Sequence, residues 1–240
     1  MIKLAAWNVR GLNSTGHQEA VGHLVQEHGI QFLGLIETRG TANTLQGYKQ
    51  THAHTCLIAV VYGECSLIQR RELWAGILSL ADDVTEEPWI LLGDFNAVLD
   101  SSEVCGRAAD TSASMEEFRE TIIAADLVHL PFTGCPFTWH NCSEGSRSLW
   151  KRLDRMLVNE MWLVKWPQAS YLAALPSTSD HSPLLGTASN KNPTPFRAQR
   201  KAKGDLADNA RKAKAFLDIA QALFDSYKED YLLSLVQCCR

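Results

Sequence analysis

The sequence predicts an α/β protein whose mixed sheets carry helices on their outer sides, and three observations lead there. In the first half, short apolar runs alternate with stretches of helical spacing. In the middle, short strand-like segments follow one another across Gly-rich turns, which suits a mixed sheet better than a doubly wound parallel one. At 240 residues and 45% hydrophobic content, the chain can bury a full core and still leave an appendage.

Lys3 to Val9 is a short apolar run ended by Gly11 and Asn13, and it predicts the first strand. Ala20, Val21, Leu24, Val25 and His28 fall at helical spacing, with Gly29 as the stop. Gln31 to Ile36 and Cys56 to Tyr62 predict two further buried strands, ending at Glu37 and Gly63. Leu73, Trp74, Ile77, Leu78 and Ala81 form a helical stripe leading to Pro88 and the strand Trp89–Leu92. Ser114 and Glu117 have capping-box spacing ahead of a helix carrying Phe118, Ile122 and Ala125. Thr133 to Asn141 and Leu149 to Val158 predict short antiparallel strands. Residues 189–195 are rich in Ser, Asn and Pro and predict a linker. Beyond it, Ala213, Phe216, Leu217, Ala220, Leu223, Phe224 and Tyr227 mark an amphipathic helix. The expected organisation is a domain over residues 1–187 and an extension over 188–240.

A net charge of −4 argues against broad electrostatic coating of nucleic acid, though not against a local contact. Seven basic residues between Arg197 and Lys214, against Asp205 and Asp208, read first as a solvated helix face. No run reaches membrane-span length, and the N-terminus lacks the apolar core of a signal peptide, so the expected location is intracellular. Seven irregularly spaced cysteines fit reduced thiols. Cys135, His140 and Cys142 lie close together, but no second pair completes a zinc site.

The chemistry concentrates in two clusters. Gly93-Asp94-Phe95-Asn96 leaves a buried strand, and Asp94 and Asn96, two apart, point the same way. Ser179-Asp180-His181-Ser182-Pro183 adds an Asp–His pair. A carboxylate beside an amide, met by an Asp–His pair, suits metal-assisted phosphodiester hydrolysis. The Asp orients or deprotonates water, the amide holds a phosphate oxygen, and the His stabilises developing charge. Other positions are bland when taken singly. Asn8 is a turn former, Tyr62 an aromatic strand end, and Thr138-Trp139 a strand pair. Glu37 ends a buried strand, where a charge is costly unless paired or metal-bound. Asp154 is either a salt-bridged strand residue or the buried partner of a catalytic His.

In order along the chain, these segments resemble the endonuclease/exonuclease/phosphatase superfamily, and within it the endonuclease domain of plant-like non-LTR (LINE-type) retrotransposons. The matching strings are WNVRGL (Trp7 to Leu12), FLGLIET (Phe32 to Thr38), VVYGE (Val60 to Glu64) and RRELW (Arg70 to Trp74). ILLGDFNAVL (Ile90 to Leu99), TGCPFTWHN (Thr133 to Asn141), RLDRMLVNEMW (Arg152 to Trp162) and STSDHSPLL (Ser177 to Leu185) complete them. The resemblance implies a four-layered α/β sandwich and magnesium- or manganese-dependent nicking of DNA that leaves a 3′-hydroxyl. By the same resemblance Glu37 binds the ion with Asn8 and Asp180, and Asp94 positions the attacking water. Asn96, His181 and Tyr62 lie at the phosphate, Asp154 orients His181, and Thr138 and Ser179 bind substrate. An intact element continues into a reverse transcriptase, and a functional copy works in the nucleus. The chain departs from the pattern twice. Arg10 stands where repair-type relatives carry an acidic residue. No Gly-Gly-apolar strand separates Glu37 from Tyr62, so the resemblance implies an internally deleted copy with strands missing from the first sheet. Two other readings stay open: a superfamily phosphatase acting on a small phosphorylated substrate, and a non-catalytic remnant.

Overall fold

The computed structural model describes residues 1–38, 56–84, 86–106 and 112–189. The chain opens with strand β1 (Ile2–Asn8), helix α1 (Thr15–His28) and strand β2 (Phe32–Ile36). Ser14 starts α1 by accepting a hydrogen bond from the His17 N–H, and Gly29 ends it at φ 60, as the sequence predicts. A second unit repeats the pattern with β3 (Leu57–Tyr62), α2 (Leu67–Asp83) and β4 (Trp89–Asp94). Then come β5 (Val104–Gly106), α3 (Ser112–Ala124), β6 (Val128–His129), β7 (Phe132–Gly134) and β8 (Trp139–His140). The remainder is β9 (Leu149–Lys151), β10 (Asp154–Val158), α4 (Glu160–Lys165), β11 (Ser170–Ala173) and β12 (Leu184–Ala188).

The strands form a five-stranded sheet in the order β2-β1-β12-β11-β7 and a four-stranded sheet in the order β3-β4-β10-β6. Each is mixed. β1 runs parallel to β2 and antiparallel to β12, while β4 runs parallel to β3 and antiparallel to β10. A small third sheet, β5-β9-β8, is antiparallel. The two large sheets meet over Leu4, Ala6, Ile58, Ile90, Leu92, Met156, Tyr171 and Leu184. The other face of the four-stranded sheet packs Leu91 and Leu157 against Trp74 and Ile77 of α2 and Phe118 and Ile122 of α3. β4 and β10 are therefore buried along their whole length, which is why Trp89–Leu92 reads as an uninterrupted apolar run. Each large apolar side chain buried here contributes about 1.5–3 kcal/mol.

Two expectations need correction, and one placement stands out. α3 begins at Ser112, so Ser114 lies inside the helix and does not cap it; its hydroxyl accepts from Arg70 Nη2 instead. β7 pairs in parallel with β11, not antiparallel with a sequence neighbour. β2 and β3 belong to different sheets and face each other across the core, where a Cβ on Gly34 would lie 2.6 Å from Val60 Cγ2. Residues 39–55, where the resemblance implies missing strands, lie outside the described residues, as do residues 190–240 with the expected amphipathic helix. Among the described residues no helix is long and apolar enough to cross a membrane, and Cys56, Cys65, Cys105 and Cys135 are free thiols.

Candidate active site

The registers bring the strand ends together. β1 and β2 finish side by side at Asn8 and Ile36, and β3 and β4 finish side by side at Tyr62 and Asp94. β10 begins directly opposite, with Asp154 paired to Asp94. The loop before β12 is pinned to the same end by four bonds. Ser182 N donates to Thr138 O at 2.8 Å, and His140 N donates to Asp180 O at 3.1 Å. Ser179 Oγ donates to Asn8 O at 2.7 Å, and Trp7 Nε1 donates to His181 O at 3.0 Å. Carboxyl ends of parallel strands are where open α/β sheets place their ligands.

The backbone is strained here. Among the described residues five non-glycine positions have positive φ, and three of them, Arg10 (51), Glu37 (52) and Asn96 (48), ring this site. Such conformations cost about 1–3 kcal/mol each and persist where surrounding structure imposes them. Gly93 shows the same demand. It sits at φ 140, and a Cβ there would lie 2.3 Å from Val61 O, so the position before Asp94 admits only glycine.

The side chains form one connected network. His181 Nδ1 donates to Asp154 Oδ2 at 2.9 Å, and Nε2 lies 3.7 Å from Asp94 Oδ2. Asn8 Nδ2 donates both to Glu37 Oε1 at 2.9 Å and to Asp94 Oδ2 at 3.0 Å, bridging the two carboxylates. Burial works against a charged His181, yet Asp154, by charge and hydrogen bond, and the charges of Asp94 and Asp180 outweigh it and raise its pKa to about 9. Burial and the Asp154 charge raise Asp94 above the usual carboxylate range, against the pull of His181 and two hydrogen bonds. Burial also opposes ionised Glu37, but the Asn8 hydrogen bond and Arg10 prevail and lower its pKa. Burial and the neighbouring Glu37 push the Tyr62 phenol up to about 12, so it stays a neutral donor. An imidazolium clamped between two buried carboxylates is an arrangement for moving or balancing one proton.

A model of the Endonuclease/Exonuclease/phosphatase family matches residues 5–181. The chain belongs to this family. Among solved structures, a 3′ phosphatase from Neisseria bound to a product DNA hairpin is similar at TM-score 0.58 and 15% identity, covering 79% of this chain and all (100%) of that one. An AP endonuclease from Archaeoglobus fulgidus is similar at TM-score 0.57 and 12% identity, covering 78% of this chain and 99% of the other. The endonuclease domain of TRAS1, a telomere-specific non-LTR retrotransposon, is similar at TM-score 0.56 and 14% identity, covering 80% and 100%. No curated protein matches the chain.

Enzymes of the family typically depend on a divalent metal, and two groups here have suitable donors. Asp94, Asp154 and His181 offer ligand atoms within 4.8 Å of one another. A metal on His181 Nδ1 would break the bond to Asp154 that holds the ring. The second group is Glu37 and Asp180, whose side chains are 15% and 17% exposed at the rim. Both lie within 3.3 Å of the Arg10 guanidinium, which marks their location as one that calls for a cation. Oxygen-only donors there suit a hard ion.

Several expected roles change in the structure. Thr138 is buried, and its hydroxyl accepts from the N–H groups of Leu153 and Asp154 at 3.0 and 2.9 Å, so it braces Asp154 and does not face substrate. Ser179 is buried as well, tied to Asn8 O and to the His181 N–H. Both Asn96 Nδ2 hydrogens have partners, Gly63 O at 2.7 Å and Asp94 Oδ2 at 3.3 Å, so the amide holds Asp94 in place where a phosphate contact was expected. Trp139, read as half of a strand pair, donates from Nε1 to Asp180 Oδ2 at 3.0 Å and so fixes that carboxylate. Arg70, buried, binds Glu64 O at 2.8 Å and Asn96 O at 2.5 Å, fastening the turn after β4. Trp139 and Arg70 were visible in the sequence only as parts of motif strings.

Proposed function

We propose that the chain is a divalent-metal-dependent DNA phosphodiesterase, the nicking endonuclease domain of a non-LTR retrotransposon. The observation that carries this is the line from Asp154 through His181 to Asp94, with His181 Nδ1 2.9 Å from one carboxylate and Nε2 3.7 Å from the other. Family membership and the retroelement-like strings PFTW (Pro136 to Trp139) and LDR-x-LVN (Leu153 to Asn159) support the substrate class.

The chain's residues divide the work. Asp94 takes a proton from the attacking water, a role suited to a carboxylate whose pKa burial has raised. Asn8 and Asn96 hold its oxygens in place. Asp154 keeps His181 cationic and oriented, so that Nε2 offers positive charge to the phosphate as negative charge builds. Tyr62, 40% exposed at the end of β3, donates to a phosphate oxygen. Glu37, with Asp180 and Asn8, would hold Mg²⁺ or Mn²⁺, which would supply Lewis-acid polarisation of the phosphate and offset its charge. Water loses a proton to Asp94 and adds to phosphorus, the bond to the 3′ oxygen breaks, and that oxygen takes a proton from solvent to become the 3′-hydroxyl, leaving a 5′-phosphate. In an intact element a reverse transcriptase would lie downstream, and the work takes place in the nucleus.

The test is nicking of supercoiled plasmid with and without magnesium. Asp94→Ala and His181→Ala should each cut the rate by roughly a hundredfold or more while melting like the parent. Parent-level nicking by either variant refutes the assignment. Hydrolysis of phosphoinositides without nicking favours the small-substrate phosphatase, and inactivity toward both favours the non-catalytic remnant.

A further inference from the structure

Arg10 is the most exposed side chain of the network, at 42%, and it lies across the two rim carboxylates. Its Nη1 is 3.3 Å from Glu37 Oε1 and its Nε is 3.3 Å from Asp180 Oδ1, so a single guanidinium spans both. The backbone commits to this placement. Arg10 holds the left-handed conformation, φ 51, and its N–H donates to Asn8 Oδ1 at 3.2 Å. Asn8 is the residue that also binds Glu37 and Asp94, so Arg10 is wired to the same network by main chain and side chain alike. Burial of the guanidinium opposes its charge, but Asp180 and Glu37 outweigh it and raise its pKa. Trp139 holds the other oxygen of Asp180, which keeps that carboxylate turned toward Arg10.

Resting on the reading that Glu37 and Asp180 hold the divalent ion, we infer that Arg10 is a resident competitor of that ion. The guanidinium neutralises the Glu37–Asp180 pair in the metal-free protein, and a divalent cation gains full use of Glu37 only as the guanidinium swings outward. The physical reason is charge. A single and a double positive charge a few ångströms apart repel strongly enough, even in water, to shift an equilibrium by roughly tenfold or more. The metal site is therefore weaker than its carboxylates alone would make it, and metal binding is coupled to movement of Arg10.

Free Mn²⁺, followed by electron paramagnetic resonance in titrations of the full chain, reads this without catalysis. Arg10→Gln should tighten Mn²⁺ binding on the order of tenfold. Arg10→Lys, which keeps the charge, should stay near the parent, and Glu37→Gln should lose most binding. If Arg10→Gln binds no better than the parent while Glu37→Gln fails, competition is wrong and the metal reading stands. If no variant binds Mn²⁺, both fall. A second measurement avoids substitution altogether: labelling of Arg10 by phenylglyoxal, read by mass spectrometry, should rise as Mn²⁺ saturates the parent. Labelling that falls or stays level overturns the proposal.

Discussion

His129 ends β6 with both ring nitrogens buried and without a hydrogen-bond partner. Burial and the fields of Arg155 and Arg152 push its pKa down to about 4. The unfolded chain takes up this proton near pH 6.5, the folded chain only near pH 4, so within that window the unfolded state binds more protons. The neutral ring's contribution is present above about pH 6.5 and is lost as pH falls toward 4. Urea melts should show the parent losing on the order of 1–3 kcal/mol from this group between pH 7 and pH 4. His129→Leu, which removes the titration, should lose correspondingly less. A parent-minus-variant difference that is the same at both pH values assigns the acid sensitivity elsewhere. No local pattern marks His129, because its significance comes from burial and from two arginines distant in sequence, Arg155 on β10 and Arg152 just before it.

The element that organises the loop after β4 is an ion pair. Arg155 on β10 is fully buried and donates to both Glu103 oxygens, Nη1 to Oε1 at 2.7 Å and Nη2 to Oε2 at 2.5 Å. Glu103 also accepts from Leu99 N at 2.6 Å, so the short turn at Ser101–Glu103 is fastened to the sheet. Glu103→Gln leaves the arginine charge buried and unpaired, which should cost about 3–5 kcal/mol in denaturant melts. The double variant Glu103→Leu with Arg155→Met should recover much of that loss, since matched apolar groups often replace a buried pair without penalty. A single variant as stable as the parent would show the pair to be idle. Such pairing is non-local, and non-locality sets what the sequence discloses. The continuous apolar run Trp89–Leu92 and the stop at Gly29 are local signals, and both elements stand where expected. The partner of β7, the start of α3 and the short strands β5 and β6 depend on distant contacts that no local pattern carries. Within the site, the residue types Asn8, Glu37, Asp94, Asp154 and His181 were legible and do converge. Their wiring was not. The resemblance implies substrate contacts for Thr138 and Ser179, whereas their hydroxyls hold main chain.

The whole molecule depends on two large sheets whose edges differ in protection. Among the described residues β2 pairs only with β1 and β3 only with β4, so each ends a sheet. Beside β3 a groove of about 450 Å³ runs along α2, lined by Val60, Leu73, Ile77 and Leu80 among others. An edge strand with an apolar groove at its side invites pairing with another chain. Domain stability is normally only about 5–15 kcal/mol, so an under-covered core face draws on a small reserve. The strand ends of β2 and β3 carry Glu37 and Tyr62, so edge disorder passes directly to the site, where a shift near 1 Å costs roughly a hundredfold in rate. Expressed alone, the domain should therefore self-associate as concentration rises, melt early, and nick plasmid weakly. Light scattering across a concentration series, with thermal melts of the same samples, checks this. A monomer throughout, melting cooperatively above about 50 °C and nicking robustly with magnesium, would mean that these edges are covered and the sheets complete as they stand.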